Sequence, residues 1–242
     1  SFTIKKAETE AEVPAGPFEF TYGQKYREIT LPDGWTWKNP EDAVGNAGSR
    51  QAAIVFAAAD ANHKDKTAMV DIIVKPLSLT GAVITLDSSK KTEYDGTAKE
   101  PAVLSVTLND TKLSADAYDV TYSENTEPGT AKVTITGKGN YEGTAYTTFT
   151  IEKGDPELII GQKVYEAVYG SRLSSIALPE GWSWQEPETS VGGVSTENKT
   201  FMADYKAPSD SKYKDKSNVG LKVHVIPRAI KSSEVSLEAP PY

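Results

Sequence analysis

"YDVTYSENTEPGTAKVTITGKGNYEGTAYTTFTIEK", residues 118–153, decides the fold class. Tyr118, Val120 and Tyr122 alternate with Asp119 and Thr121. Ala131, Val133 and Ile135 alternate with Lys132, Thr134 and Thr136, and Phe149 and Ile151 with Thr148, Thr150 and Glu152. An apolar side chain at every second position marks a strand with one buried face, because successive Cβ atoms point to opposite sides. Pro128-Gly129 and Gly137-Lys138-Gly139-Asn140 punctuate the runs with residues suited to turns. Short strands punctuated in this way predict a β-sandwich.

The same pattern extends in both directions. Ala68, Val70, Ile72 and Val74 form one face of a strand, and Leu221, Val223 and Val225 form another. Pro32-Asp33-Gly34, Asp95-Gly96 and Asn109-Asp110 supply further turns. "QAAIVFAAADA" (51–61) is alanine-rich enough for a helix, but its counterpart "KTFMADYKAPSD" (199–210) contains a proline, and both are predicted as strands. The expected fold class is all-β: tandem small Ig-like β-sandwich modules in an elongated array. β-grasp modules are the alternative, and they would need a helix that the pattern does not show.

That counterpart exists because the chain repeats itself. "LPDGWTWKNP" (31–40) returns 147 residues on as "LPEGWSWQEP" (178–187). The same offset joins Phe2-Thr3-Ile4 to Phe149-Thr150-Ile151, Tyr22-Gly23 to Tyr169-Gly170, and Val44-Gly45 to Val191-Gly192. "HKDK" (63–66) meets "YKDK" (213–216) at an offset of 150, and Pro76 meets Pro227 at 151. The second copy therefore carries an insertion, expected between Val194 and Tyr213. A unit of about 150 residues is too long for one solenoid turn, and it splits into two module types.

The first type, A, occupies residues 1–77, with 1–6 resembling the end of a preceding B module. The second type, B, occupies 78–153. Type A returns at 154–228, and 229–242 resembles the truncated start of a further B module. The short linkers predict modules set end to end. Pro76 and Pro227 stiffen the A-to-B joints by fixing φ, while Gly154 in Lys153-Gly154-Asp155-Pro156 predicts a more flexible B-to-A joint. The segments 1–6 and 229–242 are expected to fray or to pair with an edge strand.

At 242 residues the chain carries a formal net charge of −8 and no cysteine. Disulfides and thiolate metal sites are excluded. The acidic balance argues against a nucleic-acid partner, which would select a basic stripe. No apolar run approaches the roughly 20 residues of a membrane span, so membrane insertion of this segment is not expected. The opening "SFTIKKAE" shows no secretory leader and reads as an interior stretch, so it carries no information about compartment.

Several motifs carry a family resemblance. Tyr94-Asp95-Gly96, the strand start Gly129-Thr130-Ala131 and the turn Gly139-Asn140-Tyr141 resemble the YDG-type Ig-like repeats of secreted and surface-anchored bacterial proteins. Type A is similar to the companion MBG-like repeats. It has a Tyr-Gly start, a Gly-Trp-x-Trp strand and a closing turn with the sense Asp-x-x-(Asn/Lys)-Tyr-Lys. In the first copy His63 stands where that tyrosine would be. The resemblance implies an extracellular, cell-surface or cell-wall location in an adhesin-like protein, and it implies no reaction.

The chemistry-bearing residues are sparse. The only histidines are His63, in a turn, and His224, whose counterpart is Ile73. A group that its twin replaces with isoleucine is a poor shared catalytic base. No nucleophile elbow, phosphate loop or His-Glu-x-x-His occurs. No catalytic residue, metal ligand or cofactor is expected. The acidic residues have no calcium-loop spacing and read as a solvated face. A lysine-to-Asn or lysine-to-Asp isopeptide cross-link has its ingredients here, but no distinguishing pattern. The ligand-binding candidates are Trp35, Trp37, Trp182 and Trp184. Flat rings two residues apart on one strand face can stack successive sugars, and equally they can fill a small core. The favoured reading is core.

Two functions follow. The first is a non-catalytic stalk or spacer in an extracellular bacterial adhesin-like protein, monomeric, with no nucleic-acid partner. The alternative is a binding module for a host or environmental glycan or protein, using the Trp-x-Trp face or the grooves between modules.

Overall fold

The computed structural model describes residues 5–89 and 92–230. The chain gathers into two compact units: residues 1–90, 100–123 and 132–149 form one, and 91–99, 124–131 and 150–242 the other. The first A-type segment lies in the first unit and the second in the second, while the B-type segment is divided between them. Most of the terminal segments for which fraying was expected, 1–4 and 231–242, lies outside the described residues.

In the first unit the A-type segment contributes β1 (Ala7–Glu8), β2 (Phe18–Thr21), β3 (Trp35–Trp37), β4 (Gly48–Phe56), β5 (His63–Lys64) and β6 (Lys66–Lys75). A four-stranded sheet runs in the order β2-β6-β4-β3. β4 is antiparallel to both β3 and β6, while β2 joins β6 in parallel. The two-residue strands β1 and β5 pair in parallel, Ala7 opposite His63. Alternation decides which face is buried. Val70, Ile72 and Val74 of β6 point inward, whereas Met69 is 52% exposed. The inward face is covered by chain outside the sheet, including a 3₁₀ turn over Tyr26–Glu28, with Tyr26, Ile29, Leu31 and Val44 packed on it. This second layer is thinner than a sheet because Pro32, Asp33, Gly34 and Pro40 keep the intervening chain from pairing as long strands.

The B-type segment adds β7 (Leu77–Ser78), β8 (Val83–Leu86), β9 (Val103–Leu108), β10 (Thr111–Lys112), β11 (Tyr118–Ser123), β12 (Gly129–Gly137), β13 (Tyr141–Glu142) and β14 (Thr144–Ile151). It builds two three-stranded sheets, β10-β9-β8 and β11-β12-β14. Val106 and Leu108 of β9 meet Tyr118 of β11 and Ile135 of β12 in one core with Leu79 and Leu113. This is the sandwich expected from residues 118–153. The β9–β10 hairpin turns at Asn109 and Asp110, with φ of 47° and 61°. Both residues tolerate the left-handed region that a two-residue turn of this kind requires.

In the second unit the A-type segment gives α1 (Glu157–Ile160), β15 (Val164–Val168), β16 (Trp182–Trp184), β17 (Lys199–Tyr205) and β18 (Lys216–Ile226). Its sheet order, β15-β18-β17-β16, repeats that of the first copy strand for strand, including the parallel pair of first and last strands. Both alanine-bearing segments form strands, β4 and β17, as the proline of the second copy led one to expect. Among the described residues α1 is the only α-helix, and at four residues it is too short to cover a sheet. The all-β class is therefore observed.

The copies differ in instructive ways. Phe20 of β2 is matched by Ala167 of β15, and Ala52 of β4 by Phe201 of β17. The phenyl ring has moved between strands of the same face. It packs beside Trp37 in the first copy (Phe20, 5.5 Å) and beside Trp184 in the second (Phe201, 6.4 Å). Core volume is conserved while its source changes, the kind of exchange cores tolerate best. The insertion expected between Val194 and Tyr213 is also incomplete as an account of the offsets. Ala68 is matched by Val219, 151 residues on, while Lys66 is matched by Lys216, 150 on. The last extra residue therefore lies after Lys216, where Asn218 takes φ 59° and its N–H donates to Asp204 Oδ1 at 2.9 Å. The register there shifts between Ala203 and Tyr205.

Candidate functional site

The four tryptophans occupy the core. Trp35 and Trp37 are 3% and 5% exposed, and Trp182 and Trp184 are 7% each. As sugar-stacking candidates these four residues are corrected by the structure, because a stacking platform needs a ring face open to solvent. Trp37 is hemmed in by Phe18, Phe20 and Tyr26, and Trp35 by Phe56. Trp182 lies against Tyr205 at 5.3 Å. The indole N–H of Trp37 donates to the Ile29 carbonyl and that of Trp184 to the Ile176 carbonyl, the same bond in both copies. Each Trp-x-Trp pair therefore pins the loop that covers its sheet.

The remaining candidates resolve as local structure. His63 Nδ1 lies 2.9 Å from Asp60 Oδ1 within its own turn. His224 sits on the outward face of β18, opposite Glu166 of β15. Among the described residues no group of three or more histidines and carboxylates is placed to hold a metal ion. Lys216 Nζ lies 2.5 Å from both Asp155 Oδ2 and Glu157 Oε1, the cast of an isopeptide site. The electrostatics oppose that reaction. The hydrogen bond to Asp155, then that to Glu157, raises the Lys216 pKa, whereas an amine that attacks a carboxyl must be neutral. With side chains 32% and 37% exposed, Lys216 and Asp155 form an ion pair in reach of water.

The Tyr-Asp-Gly motif has two separable roles. Asp95 accepts from the Thr97 N–H and pairs with Lys99 at 2.6 Å, which closes the turn. Lys99 and then Thr97 hold its carboxyl far below the usual range. Gly96 takes φ 83°, which a side chain would resist. Tyr94 instead faces the second A-type segment, within the second unit. Its ring meets Tyr213 edge to face at 5.6 Å, and Lys212 Nζ lies 5.5 Å from its centroid. Lys212 also pairs with Glu127, and Lys214 with Glu93. Tyr213 is the residue that His63 replaces in the first copy.

The backbone is tied at this joint as well. Gly154 N–H donates to the Lys212 carbonyl, Lys214 N–H donates to the Gly154 carbonyl, and Glu93 bridges Glu152 in parallel. The glycine predicted to loosen the joint has another purpose. A Cβ at Gly154 would overlap the Tyr94 carbonyl, so the absent side chain permits close approach.

A second joint lies wholly within the first unit, between its A-type segment and the B-type sheets. Tyr22 and Tyr141 meet edge to face at 5.5 Å. Asn140 Oδ1 accepts from the Ala47 N–H at 2.8 Å, and its Nδ2 donates to Asn46 Oδ1 at 3.1 Å. The Asn140 carbonyl accepts from the Leu77 N–H, and β7 pairs in parallel with β13. Desolvation, followed by Tyr22, pushes the Tyr141 phenol up. Beside the joint is a groove of about 510 Å³ lined by Tyr22, Leu113, Asp116, Lys138, Asn140 and Tyr141. The sequence marks Tyr22 as the start of the A-type module and Asn140-Tyr141 as a turn, and the structure shows them in contact.

No protein-family model matches the chain, and no curated protein does. Among solved structures, the chain is similar to a three-Ig-domain structure of titin domains I67–I69 in an E-to-A mutated variant. Identity is 11%, 88% of this chain and 96% of that one are covered, and the TM-score is 0.28. It is also similar to SGBP-B from the mixed-linkage glucan utilization locus of Bacteroides ovatus, in complex with a mixed-linkage heptasaccharide. There identity is 11%, coverage 88% and 67%, and the TM-score 0.17. At these scores neither likeness bears on the function of this chain.

Proposed function

We propose that this chain is a run of non-catalytic spacer modules from an extracellular, cell-surface protein of the bacterial adhesin kind. The observation that carries the reading is the joint in the first unit. There Tyr22, Asn46 and Ala47 on the A-type side meet Asn140 and Tyr141 on the B-type side through a ring contact and side-chain hydrogen bonds, beside the short pairing of β7 with β13 that follows the A-type segment. The motif residues that distinguish the two module types are spent on holding modules together. This is the work of a spacer, whose output is the placement of whatever it carries. The YDG-type and MBG-like resemblance supplies the bacterial surface setting, and the acidic charge suits a soluble, monomeric segment with no nucleic-acid partner. No helix among the described residues is long and apolar enough to cross a membrane.

A second reading, recognition of a glycan or surface protein, rests on the groove beside Tyr22 and Tyr141, which sets tyrosine rings beside Asp116 and Lys138. Glycan sites combine aromatic and polar side chains in this way. A binding screen of the intact chain against glycans and surface proteins separates the two. The spacer reading expects no saturable binding. Saturable binding that is lost in Tyr141→Ala overturns it and selects the groove.

A further inference from the structure

The two A-type segments present the same face, and among the described residues only one of them is covered. In the first copy Tyr22 is half-buried against Tyr141. Its counterpart Tyr169 is 51% exposed, and the neighbouring Val168 and Val194 are 42% and 52% exposed. The backbone beneath is equivalent. Tyr22 N–H donates to the Lys75 carbonyl at 2.8 Å and Tyr169 N–H to the Ile226 carbonyl at 2.9 Å. Each tyrosine precedes a glycine of positive φ, 93° at Gly23 and 82° at Gly170. Val44 N–H donates to the Gln24 carbonyl and Val191 N–H to the Ser171 carbonyl, so the copies stay in step to this point, and the 147-residue offset carried three residues further sets Val194 against Ala47. The Ala47 N–H is the donor that Asn140 Oδ1 captures.

From this correspondence we infer that the face formed by Tyr169, Gly193 and Val194 is a docking surface for a second B-type module, received through its Gly-Asn-Tyr turn. The occupant is defined by the first copy, where residues 139–141 of the B-type segment cover the equivalent surface. The sequence gives independent support, since "AIKSSEVSLEAPPY" (229–242), which follows this face, resembles the opening of the B-type segment. The one loss is at Gly193, which replaces Asn46 and removes the acceptor for the asparagine Nδ2. The ring contact and the main-chain donor remain. This inference deepens the spacer reading by naming the neighbour that the second copy receives. The two fail separately: glycan binding in the groove would end the spacer reading without touching this face.

The test joins a duplicate of residues 76–153 after Ile226 of the full chain and follows amide hydrogen exchange. In the unextended chain the Val194 amide should exchange quickly and the Ala47 amide slowly. In the extended chain, docking should slow exchange at Val194 by about tenfold or more, local opening being what exchange reports. Tyr169→Ala should abolish that gain, as Tyr22→Ala should release Ala47 at the native joint. The appended module is monitored through its own core amides. A folded appended module with Val194 exchanging at the unextended rate overturns the inference. So does an appended module that fails to fold while the native B-type segment stays protected, because docking should stabilise it.

Discussion

The indole N–H of Trp35 donates to the main-chain carbonyl of Glu12 at 2.9 Å. The equivalent indole, Trp182, is buried and has no acceptor among the described residues. The cause is local. Ile159 stands where Glu12 does, and in the second copy that segment has wound into α1, which turns its carbonyls toward their own helix. The same winding redirects a lysine. Lys66 donates to the Ala11 carbonyl, whereas its counterpart Lys216 pairs with Asp155 and Glu157.

Trp→Phe substitution should therefore cost more in the first copy. Trp35→Phe removes a formed hydrogen bond, while Trp182→Phe removes an unsatisfied buried donor. The difference should be about 1–2 kcal/mol. Urea unfolding of the two variants measures it, and equal costs would mean that the Glu12 bond contributes nothing.

All four indoles should report a dry environment. Intrinsic tryptophan emission of the native chain should be blue and resistant to iodide, and should turn red and quenchable on unfolding. Quenchable native emission would place at least one Trp-x-Trp pair at the surface.

Asn140→Ala should open the joint in the first unit. It deprives the part-buried Ala47 N–H of its acceptor, a loss of about 0.5–1.5 kcal/mol. Faster hydrogen exchange at Ala47 and Leu77, with core amides such as Ile54 unchanged, is the expected pattern. Exchange at Ala47 equal to that of the native chain would remove Asn140 from the joint.

Gly154→Ala should destabilise the second unit by roughly 1–3 kcal/mol, because the new methyl meets fixed main chain at Tyr94 and not a flexible side chain. The reciprocal change, Ala7→Gly in the first copy, removes only an exposed methyl from β1 and should cost no more than about 0.5–1 kcal/mol, through the added freedom of the unfolded chain. Thermal unfolding of both variants provides the comparison.

The pH dependence of the second unit should carry a contribution from the Asp155–Lys216 pair. Burial works against the Asp155 carboxylate, but Lys216 and the Glu157 N–H prevail, and its pKa is lowered on folding. A lowered carboxylate pKa stabilises above the unfolded value of ~3.9, and that stabilisation is lost as pH falls through the folded value. The raised Lys216 pKa acts in the opposite sense, stabilising below ~10.4 and losing its effect as pH rises through the folded value. The partial exposure of both side chains keeps the effect small. Asp155→Asn should flatten the acid limb of stability against pH, and a limb identical to that of the native chain would assign the dependence elsewhere.

Much of this was legible in the sequence because strands advertise their buried face every second residue. Tyr118, Val120, Ile135, Val70 and Val223 could be placed from that rule alone. The repeat then fixed the equivalence of β2 with β15 and β6 with β18. What escaped were features set by distant partners. Gly154 looks like a hinge until Tyr94 is found against it. Asn140 looks like a turn residue, and nothing nearby in the chain reveals that its amide serves Ala47, 93 positions away. The step in offset from 150 at Lys216 to 151 at Pro227 announced one more residue between them, but its place at Asn218 was hidden, because an insertion of one residue inside a strand leaves no turn signature.

The parallel pairing of the first and last strands of each A-type sheet has a mechanical consequence. In β2–β6, Phe18 to Thr21 lie against Ile72 to Lys75, and in β15–β18, Val164 to Val168 lie against Lys222 to Ile226. These strands lead into and out of the module while running in the same direction. A pull on the chain ends draws them past each other along their length, so the interstrand bonds are loaded together in shear. An antiparallel hairpin pulled at its open end instead releases its bonds one after another. Tension that would unzip such a hairpin at low force must break the whole ladder here before the module extends.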